Sequence, residues 1–207
     1  MRVLLLLTSI ILAGCLNSQS NYLWLDNRVV EKLQNTSSEL TLSRPKLEFS
    51  NGGTVFNCEQ YFHKEGDIAE NSANYSARSH YLICDALRVA KAWPPKSSAR
   101  KFDGDLSLCS KVNLTSFKHS LRPRVDTENA TLTQLFGVEA VDGVNTCTFQ
   151  GEGRNFVLNA VLRVKEEEEP QKLWVWVTDE ILDATYRSYA PVWFTFDETK
   201  GMWVASK

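Results

Sequence analysis

The strongest constraint on the fold lies in the last third of the chain, where apolar and polar residues alternate in consecutive runs. Phe156, Leu158, Ala160, Leu162 and Val164 recur at every second position. Leu173, Val175 and Val177 repeat the pattern, and Val192, Phe194 and Phe196 repeat it again. Successive side chains of an extended chain point to opposite faces, so each run predicts a strand with one face toward a core. Glu166 to Pro170 form a charged turn, Asp179 to Tyr189 a looser excursion, and Asp197-Glu198-Thr199-Lys200-Gly201 a hairpin loop into a last strand, Met202 to Ala205. Strands spaced this closely pair as an antiparallel meander.

Such a sheet needs a cover for its apolar face. The clearest helix spans about 68–93, where Tyr75, Ser79, Leu82, Ala86, Val89 and Trp93 trace one stripe, widened by Ile83, Leu87 and Ala90. Pro94-Pro95 stop it. A shorter helix is predicted over 22–35 from Tyr22, Leu25, Val29 and Leu33, with Asn21 as its cap. Thr54 to Phe62 has the content of a strand, and Thr131 to Phe136 reads as a helical turn or a short strand. The predicted class is therefore α+β: a C-terminal antiparallel β-meander covered by one long and one shorter helix, in two layers. A curved sheet holding helices in its concavity, a layout similar to that of cone-shaped NTF2-like domains, fits the same pattern by analogy of layout, without a motif.

The chain begins with Arg2, an apolar run from Val3 to Leu12, and the small residues Ala13 and Gly14. This charged–apolar–small order is that of a secretory signal, and the run falls short of the roughly 20 apolar residues of a spanning helix. Leu12-Ala13-Gly14-Cys15 resembles the lipobox of bacterial lipoproteins. The resemblance implies a leader, 1–14, cut before a diacylated Cys15. It covers the leader alone. A polar tether, 15–21, and a single α+β envelope domain, 22–207, would come next. Leu16 stands where an inner-membrane retention aspartate would sit in enteric bacteria, which implies the outer membrane, facing the periplasm. The bilayer, reached through Cys15, is then the first partner expected.

Export also gives meaning to the other four cysteines, Cys58, Cys84, Cys109 and Cys147. An even number in an oxidising compartment predicts two disulfides. Three pairings exist and sequence does not select among them; the sequential one, Cys58–Cys84 with Cys109–Cys147, is favoured because it closes the shorter loops. A Cys2His2 zinc set from Cys58, His63, His80 and Cys84 lacks the usual short spacings, so no metal or cofactor is expected. Asn35, Asn74, Asn113 and Asn129 head Asn-x-Ser/Thr sequons; beside a lipobox they are read as unmodified.

Function is written less clearly. The formal net charge is −2 and no Lys/Arg stripe runs along the chain, which argues against a nucleic-acid partner. The second face of the meander carries Lys172, Trp174, Trp176 and Thr178, then Trp193 and Thr195, with Asn155, Val157, Asn159, Val161 and Arg163 beside them. Trp174, Trp176 and Trp193 are a candidate binding surface, weighed against a face covered by a helix or loop. Glu166–Glu169 alternate in direction and form a solvated tip rather than a calcium cage. No nucleophile elbow, zinc-binding helix or glycine-rich phosphate loop occurs, and His63, His80 and His119 sit in polar contexts. The expectation is a non-catalytic envelope lipoprotein that binds a protein partner, as an immunity protein, inhibitor or accessory factor. The alternatives are a small-ligand or lipid carrier and an envelope hydrolase.

Overall fold

The computed structural model describes residues 22–92, 99–102, 105–166, 169–184 and 186–206. The leader and tether with Cys15 lie outside the described residues, as do Trp93, Pro94, Pro95, Glu167 and Glu168. The first half of the chain runs β1 (Tyr22–Leu25), α1 (Asn27–Gln34), α2 (Thr36–Thr41), β2 (Leu47–Glu48), β3 (Thr54–Val55), α3 (Cys58–His63), α4 (Ser72–Arg78), α5 (Leu82–Ala92) and β4 (Ala99–Lys101). The second half runs α6 (Leu108–Lys111), α7 (Leu132–Phe136), β5 (Ala140–Asp142), β6 (Thr146–Gly151), β7 (Arg154–Lys165), β8 (Lys172–Ile181), β9 (Arg187–Asp197) and β10 (Met202–Ala205).

The predicted meander is present: β6, β7, β8, β9 and β10 pair antiparallel in sequence order. Its long middle strand serves two neighbours on one edge. β6 pairs with β7 from Arg154 to Asn159, and β1 takes over from Leu162 to Lys165. β4 then joins β1 in parallel, and β5 joins β6. The whole is a mixed helix-and-strand fold around a curled, mainly antiparallel sheet.

Where the two neighbours meet, β7 carries a bulge between Ala160 and Leu162. An extra residue bends a strand and reverses the facing of the residues beyond it. Leu158 and Ala160 pair with Val177 and Val175, whereas Leu162 and Val164 pair with Trp174 and Lys172. The run from Phe156 to Val164 therefore does not stay on one face, as strict alternation predicts. Leu162 and Val164 join the opposite face, and Arg163 crosses to put its guanidinium 4.0 Å from the centroid of Trp24. Asp26 and Asn145 close the junction. Asp26 N–H donates to the Val161 carbonyl (2.9 Å), and Asn145 Nδ2 donates to the Ala160 carbonyl (2.8 Å) and to Asp26 Oδ2 (2.9 Å).

Apolar clusters lie on both faces of the sheet. On one face Phe156, Leu158, Ala160, Leu173, Val175, Val177, Phe194 and Trp203 pack beneath the segment carrying α6 and α7. On the other, Leu23, Leu25, Val161, Leu162, Val164 and Trp174 pack beneath α1 and α5, through Val29 and Ala86. Burying a side chain of Leu or Phe size contributes about 1.5–3 kcal/mol, so both covers help hold the strands against them. A third cluster lies away from the sheet and joins β2, β3, α3 and the α4–α5 run around Leu47, Val55, Cys58, Tyr81 and Cys84.

Two expected boundaries move, for local reasons. Tyr22–Leu25 is a strand, paired on both sides, and the helix starts only after Asp26, whose side chain accepts from Arg28 N–H (2.8 Å). Thr54–Phe62 is strand only at its start. Asn57 accepts from Gln60 N–H (2.8 Å) while Gln60 Oε1 accepts from Phe56 N–H (2.7 Å), and this reciprocal pair turns the chain into α3. At α7, Thr131 and Gln134 form a capping box proper, in which Gln134 accepts from the N–H of the cap residue itself. The predicted long helix is the α4–α5 run, tightened by a 3-10 turn at Ser79–Tyr81.

Candidate functional site

Trp174 is only 8 % exposed, packs with the α1 and α5 residues, and meets Trp193 edge-on at 4.7 Å between ring centroids. Arg28, from α1, lies over Trp176 at 5.4 Å. Trp193 is half-buried and lines a shallow groove with Lys172, Pro191, Val192 and Ser206. The tryptophan row is thus mostly packing between sheet and helix, and Trp193 is the member that borders a solvent-facing groove.

A more enclosed feature lies farther along the same face. The third cluster stands beside the start of β9, and a cleft of about 370 Å³ separates them. Tyr75 and Arg78 of α4 line one wall, Tyr186, Arg187 and Tyr189 the other, and Ile68–Glu70 the floor. A second hollow of about 660 Å³ shares Ile68, Ala69, Glu70 and Arg78 with the first and continues to Tyr61, Lys64 and Arg88. Tyr75, expected on the buried stripe of the long helix, is instead 39 % exposed here, as is Tyr186. Asn71 caps α4 by accepting from Asn74 N–H (2.8 Å). Asn74 fastens the helix to the floor: its Nδ2 donates to the Glu48 and Ala69 carbonyls (2.8 and 2.6 Å), and its Oδ1 accepts from Glu48 N–H (2.9 Å). With the amide so used and 2 % exposed, Asn74 offers nothing to a glycan.

The electrostatics of the cleft come from phenols and guanidinium groups. Tyr61 donates to Asp85 Oδ2 (3.3 Å), and Arg88 pairs with the other oxygen of Asp85 (3.0 Å). Burial pushes the Tyr61 phenol up to about 12, with the Asp85 charge adding to it. Burial likewise lifts the Asp85 carboxyl above its usual range, against the pull of Arg88. On β9, Tyr189 donates to Glu180, which also accepts from Asn155 Nδ2 (2.7 Å). Burial and then Glu180 push the Tyr189 phenol up to about 12. Burial raises Glu180 too, but the bonds from Tyr189 and Asn155 outweigh it and hold the carboxyl below its usual value. Both phenols therefore stay protonated at neutral pH. Lys64, Arg78 and Arg187 make no ion pair with another described residue. The cleft is thus lined by neutral phenols and by cations, with Arg187 in register with Glu180 across the β8–β9 pair.

The remaining sequence candidates lie apart from the cleft or are spent on structure. The disulfides are Cys58–Cys84 and Cys109–Cys147, the sequential pairing, and all four cysteines are fully buried. Bonded sulfurs leave no Cys2His2 set. Among the described residues the one cluster of three metal-ligating side chains is Cys109, Asp142 and Cys147, and its sulfurs are bonded to each other. His63 and His80 are exposed. The His119 ring lies 2.8 Å from the Leu114 carbonyl through Nε2, and its Nδ1 accepts from Leu121 N–H (3.1 Å). The cleft residues escaped sequence reasoning because they come from α4, a loop and a strand end. The Tyr186-Arg187-Ser188-Tyr189 stretch, which the alternation treats as an excursion, was the signal that could have found them.

No family model, curated protein or solved structure matches this chain. No helix among the described residues is long and apolar enough to cross a membrane.

Proposed function

We propose that the chain is an envelope lipoprotein, held at a bilayer (the outer membrane, by the residue after the cysteine) through acylated Cys15, whose domain binds another protein without catalysis. The observation that carries the binding role is the cleft beside α4, where Tyr75, Tyr186 and Tyr189 stand around the unpaired cations Arg78 and Arg187. Tyrosine and arginine are the residue types that anchor interfaces. Two fully buried disulfides support an oxidising compartment. A carrier would need an enclosed apolar cavity against Trp174, Trp176 and Trp193, whereas Trp174 and Trp176 pack with helix residues and Trp193 borders a shallow, open groove. A hydrolase built on His119 would need a free ring nitrogen, and both nitrogens there meet backbone groups. The reading extends to architecture: the packing of α1 and α5 on one face of a curled sheet supports a layout similar to that of NTF2-like domains.

The test is recovery of the native, membrane-held protein from envelope extract under mild detergent, with a protection assay against any toxin encoded beside it. A stoichiometric protein companion, or protection, is expected. The absence of both a companion and protection would overturn the proposal.

A further inference from the structure

β10 covers only the second half of β9. Ala205 pairs with Phe194, and Ser206 N–H donates to the Trp193 carbonyl (2.8 Å). Backbone groups of successive residues in a strand point to opposite edges, and those of every second residue to the same edge. Phe196 N–H bonds toward the β8 side, to the Gln171 carbonyl (2.8 Å), while Trp193 bonds toward β10. Arg187, Tyr189 and Pro191, in phase with Trp193, therefore turn their backbone groups away from β8. No described strand pairs with them there. Among the described residues nothing bonds the N–H of Arg187 or of Tyr189 or the carbonyls of all three; Pro191 supplies no donor and limits the stretch. The same strand end forms a wall of the 370 Å³ cleft.

We infer that this open edge takes up an extended, acidic segment of a protein partner as an added strand. The inference rests on the proposed binding role and names how the partner is held. Alternating donors and acceptors at strand spacing match a peptide backbone, whereas a small anion has no use for the carbonyls. Arg187 to Pro191 covers roughly 13 Å at about 3.3 Å per residue, enough for about four or five partner residues. Arg78 and Arg187 line this cleft beside one lining carboxylate, Glu70, while Glu180, in register with Arg187, has its oxygens taken by Tyr189 and Asn155, in a chain of net charge −2. Acidic side chains on the incoming strand complement that local excess.

A display library of random heptapeptides, selected on the full chain, supplies the probe. Enrichment of Asp or Glu at alternating positions is expected. The best peptide should lose at least about tenfold in affinity on Arg78→Glu with Arg187→Glu. It should lose as much on Tyr189→Pro, which removes an edge donor, and less than about twofold on Tyr189→Phe. Amide exchange at Arg187 and Tyr189 should slow when it binds. Should Tyr189→Pro not fold, peptides N-methylated on alternate amides decide: methylation of one set abolishes binding and of the other is tolerated. No enriched peptide, equal tolerance of the two methylated sets, or unchanged exchange at Arg187 and Tyr189 would overturn the inference. A native partner that binds Tyr189→Pro and the original chain alike would sink the edge while sparing the binding role. Loss of both the companion and the peptides would sink both.

Discussion

His119 shows how much one residue's surroundings decide. Its ring lies between Phe117 and Phe156, with centroids 4.9 and 5.6 Å away. Because Nδ1 accepts from Leu121 N–H, the neutral ring carries its proton on Nε2 and donates it to the Leu114 carbonyl. Burial holds its pKa below the ordinary 6.5, more strongly than the Leu114 carbonyl and Asp179 raise it. Protonation would also set an N–H of the ring against Leu121 N–H. As pH falls, the unfolded chain takes up the proton first, so stability present above about pH 6.5 is lost as pH falls below it, until the folded-state pKa is reached. Urea midpoints measured at about pH 7.5 and about pH 5.5 should drop toward the acid side. His119→Asn should lower stability at neutral pH by roughly 1–3 kcal/mol and flatten that slope. An unchanged slope in the variant would refute the assignment. The polar neighbours Lys118 and Ser120 gave no sign of this burial. It depends on Phe156, on a distant strand, and on Ser120 being turned to Asp179, which accepts both its N–H and its hydroxyl (2.6 Å each).

Among the elements, what was legible was what is local or repeats. The meander came from period two, the α4–α5 run from its stripe, and the disulfides from loop length. The illegible parts depend on partners far away in sequence. The β7 bulge is held by Asp26 and Asn145, and nothing at the bulge marks the change of face, since Ala160, Val161 and Leu162 are all apolar. Tyr22–Leu25 carries the same apolar residues whether it is read as strand or helix; only β7 and β4 settle it. The two disulfides sit in different clusters, Cys58–Cys84 in the one away from the sheet and Cys109–Cys147 against it. They should therefore stabilise different parts. Opening the 26-residue span between Cys58 and Cys84 with a Cys58→Ser, Cys84→Ser double variant should cost roughly 3–4 kcal/mol. Hydrogen exchange should then quicken first in α3, α4 and α5, with the β7 and β8 amides still protected. Equal loss of protection in both regions would show that the cluster has no separate stability.

At the scale of the whole molecule, the proposed anchor and the cleft belong to one geometry. β1 starts at Tyr22 and lies inside the sheet, between β7 and β4, so the domain begins seven positions after Cys15. A fully extended chain of that length reaches at most about 25 Å. A lipidated Cys15 would therefore keep the cleft within a domain's width of the bilayer and confine its partners to those that reach the membrane surface. One acyl chain holds a protein only marginally, whereas two or three hold it firmly, so anchoring should depend wholly on the Cys15 thiol. Cys15→Ser is expected to abolish incorporation of an alkyne-palmitate label and to block the normal leader cut. The domain's disulfides and its denaturation midpoint should stay unchanged, because no described residue depends on that thiol. Electrophoretic mobility, labelling and membrane fractionation with an alkaline carbonate wash distinguish the outcomes. A Cys15→Ser chain that lost its leader normally and still fractionated with membranes after the wash would remove the anchor. The cleft would then stand as a binding site with no fixed distance from a bilayer.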